Sequence, residues 1–134
     1  MRPLRLSVLW QAIGWVYVAL VVYESLTPSP PELPGFPGSD KLVHLVVYML
    51  MMLWFGFIYE PGKRLLILGA MFFMLGTALE FVQGATGYRS LELRDMMSNA
   101  AGLLAGGLLA KSRLSAALVR LETRFYRRDT KSPH

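Results

Sequence analysis

The chain contains no cysteine. Disulfides, thiolate nucleophiles and cysteine-ligated metal or iron–sulfur centres are therefore excluded. It has two histidines, one of them the C-terminal His134, so a single imidazole, His44, lies in the apolar part of the chain. That count argues against a multi-histidine zinc site and against a bis-histidine haem. No G-x-S-x-G, H-E-x-x-H or phosphate-cradling glycine loop occurs, so these catalytic signatures are missing too. Charge is also scarce. Asp, Glu, Lys and Arg make up 17% of the 134 residues, against 54% hydrophobic, whereas a typical soluble domain is about 25% charged. The net charge of +5 would suit nucleic acid, but eleven of the fourteen basic residues sit at the chain ends and in one short loop. That distribution suits anionic lipid head groups and membrane orientation, with no nucleic acid partner.

What is there is apolar sequence in four blocks. The runs Leu6–Tyr23, Leu42–Tyr59, Leu65–Leu79 and Met96–Ala110 carry most of it. Roughly 20 apolar residues cross a bilayer core. With their polar flanks, the blocks predict spans over about 7–23, 42–59, 65–83 and 95–110. The last is short, about 22 Å at the rise of an α-helix. It reaches further through Leu93 and Asp95 above, with Lys111 and Arg113 snorkelling below. The expected fold is an all-α membrane protein, a four-transmembrane-helix bundle in residues 1–110. A basic amphipathic tail follows in residues 111–134, with Leu114, Leu118, Leu121 and Phe125 on one face.

The first block follows Arg2 and Arg5, and its exit YESLTPSP lacks a small-residue cleavage site, so it reads as an uncleaved signal-anchor. Five prolines between Glu24 and Ser39 (Pro28, Pro30, Pro31, Pro34 and Pro37) predict an extended, solvated loop. Ser39 or Asp40 is expected to cap the second helix. Gly69 and Gly76 leave a smooth strip on the third helix. Gly102 and Gly106, backed by Ala101, Ala105 and Gly107, form a small-xxx-small pair that lets the fourth helix pack closely.

Lys and Arg accumulate in cytoplasmic loops. The N-terminus has Arg2 and Arg5, the second loop Lys63 and Arg64, and the tail seven basic residues. The first loop has Glu24, Glu32 and Asp40 against Lys41 alone. These alternate as four spans require, predicting N-in, C-in topology.

That topology gathers the polar residues at the outer end. Asp40, His44 and Tyr48 recur every fourth residue and share a helical stripe. Glu80 and Gln83 end the third span. Arg89, Arg94, Asp95 and Asn99 lead into the fourth. Charges often mark helix ends, which accounts for Glu24, Arg89 and Arg94. His44, Glu80 and Asn99 lie about a turn inside, where an ionisable or amide group is costly unless paired or wetted. They point to one shared polar cluster.

SLTP, DKLVHLVVY, ALEFVQ, an arginine and DMMSNAAGLLAG, in that order, resemble the VanZ-like family of small bacterial membrane proteins. The family takes its name from an accessory glycopeptide-resistance protein that lowers teicoplanin susceptibility. The likeness covers Ser25 to about Gly107. It implies signature positions at Asp40, Lys41, His44, Tyr48, Glu80, Gln83, Arg89, Asp95 and Asn99, and residence in the bacterial cytoplasmic (inner) membrane. It implies no settled activity.

Three functions fit the cluster. A binding module would hold a lipid-linked envelope precursor, with Arg89, Arg94 and Lys41 on a phosphate, pyrophosphate or carboxylate. An enzyme would use His44 as a base oriented by Asp40 or Glu80, or a metal between His44, Glu80 and Asp95. A structural network would pair Glu80 with Arg89 or His44, and Asp95 with Lys41, while adjacent Asp40 and Lys41 would not face each other. The expectation is the binding module, with neither a metal nor a cofactor.

Overall fold

The computed structural model describes residues 2–28, 38–87, 92–112, 116 and 119–124. They form α1 (Ser7–Leu26), α2 (Ser39–Ile58), α3 (Lys63–Ala85) and α4 (Leu93–Leu109), with no strand among the described residues. Three of these, α1, α2 and α3, are long and apolar enough to cross a membrane. α4, at 17 residues, is the short one, as its apolar block suggested.

Contacts between the helices set their directions. Tyr17 donates to the Val47 carbonyl and Trp54 to the Trp10 carbonyl, so α1 and α2 run antiparallel. Gly76 abuts Tyr48 while Gly69 abuts Met52, which makes α2 and α3 antiparallel as well. On α4, Gly102 meets Leu45 and Met49, Gly106 meets Met49 and Leu53, and Ala110, just beyond the helix, meets Gly56. Both partners advance together, so α2 and α4 are parallel neighbours. The glycine pair thus extends to Ala110, and along this small-residue seam the backbones of α2 and α4 approach too closely for a side chain at Gly102 or Gly106. The core it borders contains Met51, Met52, Phe55, Phe72 and Leu103. Phe55 and Phe72 are tilted against each other, centroids 5.1 Å apart, with Trp15 edge-on to both.

Large apolar side chains also face outward on all four helices, among them Val8, Leu20, Leu50, Leu66, Met74 and Leu104. In water such a surface would be an aggregation hazard. Against hydrocarbon it costs nothing, which suits a membrane protein.

Two local expectations are corrected. Neither Ser39 nor Asp40 caps α2: the N-cap is Gly38 at φ 90°, with no side-chain cap. Asp40 lies inside the first turn, where its charge still complements the helix dipole but its carboxylate is drawn to Lys41. The other correction concerns that pair. Asp40 Oδ2 and Lys41 Nζ are 2.5 Å apart, because the long lysine stem folds back over its neighbour.

At the end opposite to the polar cluster, residues 2–10 meet Ile58 and residues 119–124. Arg2 N–H donates to the Ile58 carbonyl at 2.9 Å. Residues 119–124 form a helical turn whose Glu122 accepts from Arg5 N–H at 2.8 Å, Leu6 N–H at 3.1 Å and Trp10 Nε1–H at 2.6 Å. α1 has no side-chain cap of its own and no acid in its first turn, so the tail supplies both functions from more than a hundred residues away. Val119 packs beside Leu4 and Ile58. Of the apolar tail face expected from sequence, Leu121 is exposed, and Leu114, Leu118 and Phe125 lie outside the described residues.

Candidate functional site

Each polar residue reaches the cluster because its helix phase demands it. On α2, Lys41, His44 and Tyr48 descend the face turned to α3 and α4. Glu80 comes from the end of α3, Asp95 and Asn99 from the first two turns of α4. Close packing along the α2/α4 seam holds the last two within reach of the first.

At the rim, the Lys41 ammonium sits among three carboxylates: Asp40, Glu92 Oε2 at 2.6 Å and Asp95 Oδ1 at 3.3 Å. One turn deeper, His44 Nδ1 is 3.0 Å from Asn99 Oδ1. The same nitrogen is 3.9 Å from Glu80 Oε1, and Nε2 is 3.8 Å from Asp95 Oδ2. An amide oxygen only accepts, so the Asn99 contact places a ring proton on Nδ1, and Nε2 faces Asp95. Deeper still, Tyr48 lies against Gly76, whose missing side chain leaves room for the phenol and for Asn99.

Burial deepens in the same order. The side chains of Asp40 and Glu92 are 47% and 40% exposed, that of His44 15%, while Asn99 is 1% and Glu80 2% exposed. The cluster is therefore a polar wedge, open at the rim and sealed at its base.

The structure thus brings Asp40, Lys41, His44, Tyr48, Glu80, Asp95 and Asn99 together. Gln83 is apart: its amide donates to the Ser25 carbonyl at 2.6 Å, tying the ends of α3 and α1. Arg94 is exposed, and Arg89 lies outside the described residues. Glu92 joins them although no sequence motif singles it out. Its position three residues before Asp95, on the approach to α4, was the available signal. Of the residues named as an anion clamp, Lys41 is already neutralised by acids. Among the described residues, Asp40, Glu80, Glu92 and Asp95 outnumber Lys41 and His44 in this wedge.

No family model matches this chain, and no solved structure matches it. An uncharacterised protein of Schizosaccharomyces pombe is 31% identical over 93 residues, covering 65% of this chain and 55% of that protein. The chain thus spans about half the length of the curated relative it matches. The described residues define an all-helical protein with three helices long and apolar enough to cross a membrane.

Proposed function

We propose that this chain is a VanZ-like multi-pass protein of the bacterial cytoplasmic (inner) membrane, with α4 as its fourth span and both termini inside. Its polar wedge then lies in the outer leaflet, at the depth of lipid head groups, and binds the head group of a lipid-linked envelope precursor. The supporting observation is the wedge itself, in which His44 reaches Asn99, Glu80 and Asp95 at the end of otherwise apolar helices. A bundle needing only to pack would not collect four carboxylates there, since buried charge pairs contribute little net stability. The graded exposure leaves an entrance at Asp40, Lys41 and Glu92, through which a polar group reaches His44 without crossing hydrocarbon. Through that ligand, the protein would affect glycopeptide susceptibility.

Burial of Asn99, Tyr48 and Glu80 supports a second role for the wedge base, which fixes α2, α3 and α4 against one another. Lipid-bound mass spectrometry of the purified protein separates the two roles. Head-group binding predicts a co-purifying lipid that His44→Ala and Glu80→Gln reduce at unchanged protein abundance. Losses that track abundance in every variant would leave only the structural role.

A further inference from the structure

The carboxylates of the wedge pose a problem that its geometry answers. A lipid-linked envelope head group carries phosphate, yet the one lysine here is neutralised by carboxylates. We infer that His44, Glu80 and Asp95 form a divalent-cation site, through which the protein holds the phosphate of a lipid-linked head group.

The three side chains each offer one ligand atom, and these atoms lie within 4.8 Å of one another. Ligands sharing one ion at about 2.1 Å stand roughly 3–3.5 Å apart. His44 Nε2 is 3.8 Å from Asp95 Oδ2, while Glu80 Oε1 is 3.9 Å from Nδ1, so closing on one ion turns Asp95 inward and brings the Glu80 carboxylate round toward Nε2. His44 is also prepared for the task. Its Nδ1–H is held by Asn99, which fixes the tautomer and presents Nε2, as outer partners of metal-binding histidines do. Asp95 is 5% exposed, and its Oδ1 is buried without an aligned hydrogen bond. The Lys41 ammonium at 3.3 Å is a charge contact beside it. A second set, Asp40, Glu92 and Asp95, has the Lys41 ammonium against all three members, whereas in the deeper set that ammonium faces Asp95 Oδ1.

One imidazole with two carboxylates is a borderline-hard donor set, suited to Mn²⁺ or Zn²⁺. Three protein ligands leave positions open. In sites of this kind the open positions take phosphate oxygens, because carboxylates alone would repel them. The cation supplies a positive charge among His44, Glu80 and Asp95, while Lys41 organises the acidic rim. This inference rests on the head-group reading for its ligand, but not for the ion.

Mn²⁺ is the probe for the test, with the full-length protein in detergent micelles. One Mn²⁺ per chain should bind, and its electron spin echo should show nitrogen modulation from a single imidazole. His44→Ala and Asp95→Asn should each weaken binding at least tenfold, whereas Asp40→Asn should stay within about threefold. The spin-echo signature is read on the wild type, so it holds even if a variant misfolds. No bound Mn²⁺, or Mn²⁺ without nitrogen coupling, overturns the site. Next, inorganic pyrophosphate and a prenyl pyrophosphate in micelles are each added to the Mn²⁺-loaded protein. Phosphorus coupling to the bound ion is expected with the lipid, and weaker coupling with free pyrophosphate. Equal coupling from both would make the ligand a free phosphate. Lipid retained equally in EDTA overturns the cation's role and leaves head-group binding standing. Bound Mn²⁺ without phosphorus coupling to either overturns the head group and leaves the ion.

Discussion

Replacing Gly102 by alanine adds one methyl group and should unmake both the helix packing and the polar wedge. A Cβ there would run into the Leu45 carbonyl oxygen, with Leu45 C at 3.1 Å and Met49 N at 3.0 Å. Unstrained carbon contacts lie at about 3.5–4.0 Å, and these obstacles are backbone, which cannot rotate away. α2 and α4 must therefore separate by about 1 Å at this level. Such overpacking costs about 1–3 kcal/mol, and the upper half of that range is expected because a whole seam moves. Asn99 lies one turn above Gly102. The same displacement would stretch its 3.0 Å contact with His44 to about 4 Å, beyond hydrogen-bond range. Gly106→Ala meets Met49 O, Met52 Cβ and Leu53 N and should be as costly, although further from the wedge. Gly107→Ala is the control: its methyl would touch Met52 Cε at 3.6 Å, an ordinary contact. Unfolding in mixed micelles with rising SDS fraction, followed by tryptophan fluorescence, reads all three. Gly102→Ala and Gly106→Ala should unfold early, Gly107→Ala with the wild type, and the leucine variants at 102 and 106 should barely fold. Equal midpoints for Gly102→Ala and Gly107→Ala would refute the seam.

Glu122→Gln should release the tail from α1, raising amide exchange at Arg5 and Leu6 at neutral pH. Burial acts to raise the Glu122 carboxyl. The hydrogen bonds from Trp10, Arg5 N–H and Leu6 N–H, with the Arg5 charge, outweigh it and hold the group below its ordinary value. A lowered folded value means that the clasp is fully stabilising above the ordinary glutamate range and is lost as pH falls below about 4. A fluorescence transition there should be present in the wild type and missing from Glu122→Gln; its persistence in the variant would assign it elsewhere. Lys41→Gln strips the compensation from Asp40, Glu92 and Asp95. It should cost about 1–3 kcal/mol, less than a fully buried pair because the lysine is partly exposed, and Asp95→Asn should restore part of it. Additive effects of the two substitutions would show that the ion pair carries no coupling. A periplasm-dependent reporter fused after Gly35, after Gly62 and at the C-terminus should be active only at Gly35, and activity at the C-terminus would rule out the proposed topology.

Periodicity and hydropathy act over neighbouring residues, so they determined what depends on neighbours. All-helical architecture, the four helices to within about three residues at each end, and the shortness of α4 were legible in apolar block length alone. The stripe Asp40, His44, Tyr48 was legible because helical phase is a property of one segment. The small-residue positions were legible because glycine every fourth residue leaves one helix face bare. Which helix fills that face is decided only when α2 and α4 come together in parallel, and so is the extension of the seam to Ala110. The same holds for the wedge. Spacing placed its members at one end, but only packing put Glu92 on Lys41 and separated Gln83 from the rest. The cap on α1 was least legible of all. Its glutamate stands more than a hundred residues downstream, and no local pattern carries a contact that chain folding alone creates.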